Sequence, residues 1–411
     1  KNIFQIAGGN LCTTIPDIIL NKSSVDCVVL FEGEETVIDL IKVIKNQESL
    51  SNVKGIKFIH DKHIVFTGLR DKIDNLDKIP FPERDQFKFS TLRKAFPMGT
   101  PGRYSAIMFA SRGCPFQCIF CNPVSGRKIR TRSPENIIEE IKYLQNKYNV
   151  QYFRFFDEVF IGSKKKIKDF CSLIKKNGIK IFWWCQTQIN LVDEDLLFHM
   201  KDSGCIEIGY GIESGSDKIL SEMKKGITSH DARRVIDLTY KIGIIPSISI
   251  ICGTMSEDID TLNETKQFLK SLNHIPWISV PQINFIIPLP GTEIFEIAKE
   301  KNIIHDQDKY IMDILSRSDR YNMSINLTKM DSEFFVNLVA KFNKEIIDDY
   351  YGKHPLRKYL SYLGLNHIRL DLIFKNFNLY QIKPLLQALL WSVIGKRNNL
   401  LGHILSKLLY R

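Results

Sequence analysis

The chain has 411 residues, 44% hydrophobic and 25% charged, which is length enough for two or three domains and excludes a disordered or fibrous polypeptide. Its formal net charge is +11, yet residues 351–411 hold ten Lys/Arg against the single acid Asp371; the surplus belongs to the tail, a nucleic-acid-coating surface is excluded, and no nucleic-acid partner is expected. Of nine cysteines only Cys114, Cys118 and Cys121 stand together, so there is no disulfide framework and the chain reads as cytoplasmic, in a reducing compartment.

Residues 1–9 carry no long apolar run after a basic start, so no signal peptide is read there; without an initiator Met, the strand already under way at 3–7 reads as part of a longer protein. Residues 1–75 form a small α/β unit. A strand at 3–7 runs into Gly8-Gly9, a tight turn or a close approach to a ligand. A helix at 15–20 and an apolar strand at 25–31 follow. Gly33-Glu34-Glu35-Thr36 opens a helix over 37–45 with acids in its first turn, and 56–60 with 63–67 read as a hairpin around Asp61-Lys62. Residues 76–104 are a linker, since Pro80, Pro82, Pro97, Pro101, Gly99 and Gly102 disfavour regular structure.

From 105 to 307 strands and helices alternate. Strands are expected at 105–110, 152–156, 179–185, 207–212, 246–252 and 280–287, with helices at 134–147, 164–177, 194–202, 229–242 and 258–272. Ser133-Pro134 is a capped helix start. Six such units imply an α/β fold, a parallel sheet with right-handed crossovers curved into an open six-stranded barrel. Ligands of such sheets sit at the carboxyl ends of strands, where this chain places its cysteine loop, Asp157-Glu158, a Gly-Ile-Glu-Ser-Gly stretch around Glu213, and Pro288 to Thr292. Trp183 and Trp184 point to opposite faces of a strand, so at most one faces the barrel interior. Residues 308–411 are read as a basic helical domain, with helices at 331–349 and 368–394. The apolar run 385–394 is short of the ~20 residues of a membrane span; the basic region lies on an anionic membrane surface, over the barrel mouth, or in solvent as a helical cap.

The spacing C-x3-C-x2-C puts three thiolates on one tight loop. Soft thiolates suit iron–sulfur clusters, and three of them leave one iron of a [4Fe–4S] cluster open to a ligand. A three-ligand zinc site or unrelated core cysteines are the other readings of the triad. With the aromatic Phe120 before the last cysteine, the loop resembles the radical S-adenosylmethionine (SAM) superfamily, and Ser-Arg-Gly-Cys-Pro-Phe at 111–116 resembles its cobalamin-binding branch. The resemblance covers residues 1–300. It implies a TIM-like partial (β/α)6 barrel, with Cys114, Cys118 and Cys121 on the cluster and SAM on the open iron. One electron then cleaves SAM to methionine and a 5′-deoxyadenosyl radical. Asp157 and Glu158 match the position that accepts from the methionyl amino group. Glu213, with Gly211 and Ser214, matches the stretch along methionine and ribose; Ser214 is a ligand donor or a helix cap. Pro288 and Gly291 match the loop near adenine. Gln188 stands where relatives carry an arginine. Lys224 and Lys225 are read as solvated, and Arg112 as orienting the loop or as a surface ion pair.

The N-terminal unit resembles the C-terminal half of a Rossmann-like cobalamin-binding domain, and 78–82 the connector behind it. The Asp-x-His-x-x-Gly motif of the missing half is absent, and His60 and His63 are read as solvated. Half a sheet cannot build a corrin slot, so cobalamin is expected on the full-length protein and weakly or not at all on this chain. The expected function is reductive cleavage of SAM to start radical methyl transfer, cyclisation or rearrangement on a small-molecule biosynthetic intermediate. The expected electron donor is a flavodoxin or ferredoxin, and a non-catalytic iron–sulfur protein is the alternative.

Overall fold

The computed structural model describes residues 3–86, 104–276, 278, 282–316 and 322–362. The N-terminal unit is a four-stranded sheet of β1 (Ile6–Ala7), β2 (Cys27–Val29), β3 (Ile56–His60) and β4 (His63–Phe66), with β1–β2 parallel and the others antiparallel. The β3–β4 turn has both central residues, Asp61 and Lys62, at positive φ, which matches the twist of the strands it joins. His60 and His63 face each other beside that turn and are exposed. Helix Glu34–Asn46 buries Leu40 and Val43 against Val29, Ile56 and Phe58.

The main sheet has six parallel strands in the order β12-β11-β10-β9-β8-β5: β5 (Tyr104–Met108), β8 (Val150–Phe155), β9 (Phe182–Thr187), β10 (Cys205–Glu213), β11 (Ile245–Cys252) and β12 (Ile283–Phe285). Helices Pro134–Tyr148, Lys164–Lys176, Glu194–Asp202, Ser229–Lys241 and Ile259–Leu272 form the crossovers. Side-chain caps start them where the sequence places Ser, Asp or Thr: Ser133 accepts from the Asn136 amide at 3.1 Å, and Asp258 and Thr261 form a reciprocal capping box. Trp183 lies in the core beneath the helices with Phe155, Phe160 and Phe170, while Trp184 is on the other face.

Two further elements complete the barrel, the first without a periodic signal in the sequence and the second the helix expected at 331–349. A ribbon of β6 (Ser111–Arg112) and β7 (Arg130–Thr131) brackets the cysteine loop; strands of two residues are too short to show an alternation. Helix Ser332–Lys353 packs Phe335, Val339, Phe342, Ile346 and Tyr350 into the barrel's own core. Its Asn343 accepts from the Ile283 amide at 2.7 Å and donates to the Ile283 carbonyl at 3.0 Å, so a side chain completes the ladder of edge strand β12. The helix expected at 368–394, its apolar run and most of the basic tail lie outside the described residues. Among the described residues no helix is long and apolar enough to cross a membrane.

Candidate active site

The cysteine loop is folded back on itself before it meets the barrel. Cys114 donates its amide to the Gly126 carbonyl at 3.0 Å, Cys121 to the Cys118 carbonyl at 3.1 Å, and Arg127 donates to the Phe116 carbonyl. Gly113 turns the chain at φ +97°, where a Cβ would run into the Lys128 carbonyl, so no other residue fits. Ile119 pins the loop to the barrel rim, donating to the Met223 carbonyl at 3.2 Å and accepting from the Ile294 amide at 3.0 Å.

The three cysteines share one wall of a cavity of about 660 Å³ that opens at the carboxyl ends of the strands. Register sets the opposite walls in layers. Arg154, Trp184 and Glu207 are neighbours across β8, β9 and β10, and Gln186, Gly209 and Ser247 are neighbours across β9, β10 and β11. Gln282 and Asn284 line it from the β12 side. The Arg154 guanidinium packs on both the Phe156 and Trp184 rings, at 4.7 and 4.8 Å from their centroids, and the two rings touch each other with centroids 5.0 Å apart.

Of the site residues expected from the sequence, the structure brings Phe120, Glu158, Gly211 and Glu213 to this cavity together with the three cysteines. Glu158, at the rim, accepts from the Gly113 amide at 2.6 Å. Glu213 ends β10 at φ +76°, beside a register shift against β11. Its Oε1 accepts from Lys225 Nζ at 3.1 Å and its Oε2 from Ser249 Oγ at 3.2 Å. Lys225 Nζ also lies 5.7 Å from the centre of the Phe120 ring. Gly211 makes room for this pair: a Cβ there would stand 2.5 Å from Glu213 Oε1 and 3.0 Å from Lys225 Nζ.

Asp157 does not open on the cavity. It is fully buried, and its Oδ1 accepts from the Ala110 amide at 2.8 Å, the Ser111 amide, and Ser111 Oγ at 2.7 Å, which anchors the entry to the cysteine loop. Burial outweighs those bonds and pushes its carboxyl up to about 6. Ser214 is buried against Thr265 Oγ1 at 3.0 Å and accepts from the Ser216 amide, as a structural hydroxyl. The Pro288 carbonyl accepts from Tyr310 Oη at 3.1 Å, and Gly291 stands against Asn122 of the cysteine loop and Thr14 of the N-terminal unit.

Lys225 corrects the solvated reading: it is 5% exposed. Neighbouring Lys224, half exposed, pairs with Glu293 instead. Arg154, Glu207 and Lys225 were not anticipated. The periodicity of β8 and β10 could have placed the first two on the inward face, but a lysine in a turn carries no signal of burial.

Burial pushes all three cluster-loop thiols up. In Cys114 the neighbouring Cys118 adds to it, in Cys118 the Lys225 ammonium works against it, and in Cys121 the protein surroundings and the other two thiols together raise it to about 11. Thiols in this state bind metal only with release of protons. Among the described residues no three His, Cys, Asp or Glu converge on a single ion. Three soft thiolates are the donor set that a [4Fe–4S] cluster takes, one per iron. The orphaned Thr187 Oγ1 and Gln188 Oε1, both on the cavity wall, fit a bound polar molecule, and the volume is in the ~300–1,000 Å³ range of small-ligand sites.

A second cavity, of about 340 Å³, lies between Gly9, Phe31 and Gly33 of the N-terminal unit and Arg112 of the ribbon, with the Arg112–Glu34 ion pair on its wall. That is the low end for a drug-sized ligand, and a corrin with its nucleotide tail is far larger.

Residues 108–269 match the family model described as Radical SAM superfamily. Uncharacterized methyltransferase PH0819 of Pyrococcus horikoshii is 30% identical over 308 residues, 74% of this chain and 65% of that protein. Anaerobic magnesium-protoporphyrin IX monomethyl ester cyclase of Rubrivivax gelatinosus is 26% identical over 321 residues, 75% of this chain and 56% of that protein. In fold, the chain is similar to the cobalamin-dependent S-adenosylmethionine radical enzyme OxsB, with a TM-score of 0.67 at 19% identity over 92% of this chain and 57% of that one. The chain thus spans little more than half the length of several proteins it resembles.

Proposed function

This chain belongs to the radical SAM superfamily, and from that premise we propose that it reductively cleaves SAM at a [4Fe–4S] cluster to start radical chemistry on a small-molecule biosynthetic intermediate. One observation carries the reading: three cysteines, three carboxylates and a buried lysine from four separate segments line one cavity at the carboxyl ends of the strands.

Cys114, Cys118 and Cys121 would hold three irons. When bound, the cluster and SAM supply a one-electron cleavage of the sulfonium and a carbon radical that abstracts hydrogen. The chain's own residues bind and orient. Glu158 and Glu213 present carboxylates to the ammonium and ribose hydroxyls of SAM, and Lys225 presents its ammonium to the SAM carboxylate. Thr187 and Gln188 bring unpaired polar atoms to the same wall. Below them Gln186, Ser247, Gln282 and Asn284 supply hydrogen bonds for a polar substrate. Asp157 and Ser214, though expected to contact SAM, support the site from behind in this reading, and Pro288 and Gly291 support its rim. Burial of the reacting groups within the barrel would keep water from a radical.

The names of the relatives support methyl transfer or cyclisation as the reaction class. A flavodoxin or ferredoxin would supply the electron, the basic tail would touch an anionic membrane surface, and nine free cysteines suit the cytoplasm. In this proposal cobalamin would need a complete cobalamin-binding domain. The test is anaerobic reconstitution followed by reduction in the presence of SAM. Release of 5′-deoxyadenosine is the expected result; none from iron-loaded protein would leave a non-catalytic iron–sulfur protein. Gel filtration with hydroxocobalamin should leave this chain colourless at the corrin bands, and stoichiometric retention would reinstate the N-terminal unit as a cofactor domain.

A further inference from the structure

The cysteine loop is closed at its base by β6 and β7, in which Ser111 pairs with Thr131 and Arg112 with Arg130. Like charges directly opposite on an antiparallel ladder repel, so this ribbon is unfavourable by itself. Glu32, just ahead of helix Glu34–Asn46 in the N-terminal unit, lies between the two guanidiniums. Its Oε1 accepts from Arg130 Nη2 at 2.5 Å and stands 3.2 Å from Arg112 Nη1. Its Oε2 accepts from Arg130 Nη1 and from the Ile73 amide, both at 2.9 Å. Arg130 donates further to the Ile73 carbonyl at 2.6 Å and to the Ser125 carbonyl, inside the loop, at 3.2 Å. Glu34 adds a second carboxylate to Arg112. The side chains of Glu32 and Arg130 are 10% and 4% exposed. Burial pushes the Glu32 carboxyl up, but the Arg130 and Ile73 hydrogen bonds and the two arginine charges outweigh it and hold it below its ordinary value. The first thiolate, Cys114, follows two residues after Arg112.

We propose that Glu32 is a positioning residue for the cysteine loop: it bridges Arg112 and Arg130, closes the β6–β7 ribbon, and makes the N-terminal α/β unit part of the cluster site whether or not that unit binds a cofactor. The cluster in this statement rests on the functional reading above; the loop geometry does not. Without the carboxylate, two facing cations are left at a half-buried seam, and the loop opens locally while the barrel stays folded.

The test compares Glu32→Gln with the wild-type chain in two arms. In metal-free protein, hydrogen exchange of the amides of residues 113–129 should quicken at least about tenfold, with β8 and β9 as unchanged reference. In reconstituted protein, iron should pass to the chelator bathophenanthroline disulfonate about tenfold faster, and the electron paramagnetic resonance spectrum of the reduced cluster should change. Adding Arg112→Met removes one of the facing cations and should slow the loop exchange again, a rescue that mere loss of a structural contact does not give. Loop exchange equal to wild type, or loop and reference quickening together, overturns the proposal. If wild-type protein takes up no iron, the functional reading falls and the exchange arm still decides this one. If Glu32→Gln gives no folded protein, Glu32→Asp, which shortens the reach by one methylene, takes its place against the same criteria.

Discussion

At the seam, Arg130 presents a planar guanidinium to Glu32 through two nitrogens and spends further N–H groups on the Ile73 and Ser125 carbonyls. In the cavity, Lys225 reaches Glu213 through a single ammonium contact at 3.1 Å, with the Phe120 ring beside it. Both pairs are nearly buried, 4% and 10% exposed against 6% and 9%. The chemistry of the cations separates them. A bidentate, pre-organised fork locks geometry, whereas a point charge on a flexible stem can trade one carboxylate for another. In the proposals above, the seam pair holds the loop in place and the cavity pair offers two opposite charges to a ligand that carries both.

The sharpest break between the two regions is on the cavity side. Changing Cys114, Cys118 and Cys121 together to alanine should reduce reconstituted iron from about four per chain to background, because a cluster needs its thiolates. Urea unfolding of the metal-free protein should hardly change, since the seam is untouched. Full iron content in the triple variant would remove the central assignment. Arg130→Met attacks the other region. It leaves Glu32 buried without its main partner and should cost ~3–5 kcal/mol in urea unfolding, the range for breaking a buried pair.

Lys225→Met and Glu213→Gln should show the opposite balance. Each should weaken SAM binding about 10- to 100-fold in equilibrium dialysis, as loss of one charged contact to a buried ligand does, with iron content intact. If both bind SAM like wild type, the ligand lies elsewhere. The smallest effect concerns an acid held by neutral donors. Glu257 accepts from the Gly253 amide and Thr261 Oγ1, and burial pushes its carboxyl from 4.5 up to about 7. A raised folded-state value favours the protonated fold. Its contribution is complete below about 4.5 and is lost as pH rises through about 7. The melting temperature of wild type relative to Glu257→Gln should therefore fall by a few degrees between about pH 5 and about pH 8. A constant difference across that range would show that Glu257 stays ionised.

The alternation of strands and helices, the cap at Ser133, and the three cysteines were legible because each depends on residues near in sequence. So was the split of Trp183 and Trp184 onto opposite faces, which follows from the period of a strand alone. Asp157 and Glu158 show where that legibility ends. Both follow the second barrel strand, yet one is sealed under Ser111 and the other reaches the cavity rim. Adjacent residues diverge because the loop they meet comes from a strand about fifty positions earlier.

Local pattern thus determined the elements, their order, the barrel and the chemistry of the triad. The tertiary structure alone decided which charges are buried and with whom. Lys225 and Glu213 are twelve residues apart, and Glu32 and Arg130 are ninety-eight apart. A lysine or glutamate in a turn is solvated unless a distant segment arrives to desolvate and pair it. That arrival depends on how strands close and helices cover them, a property of the assembled packing that no window of the sequence contains.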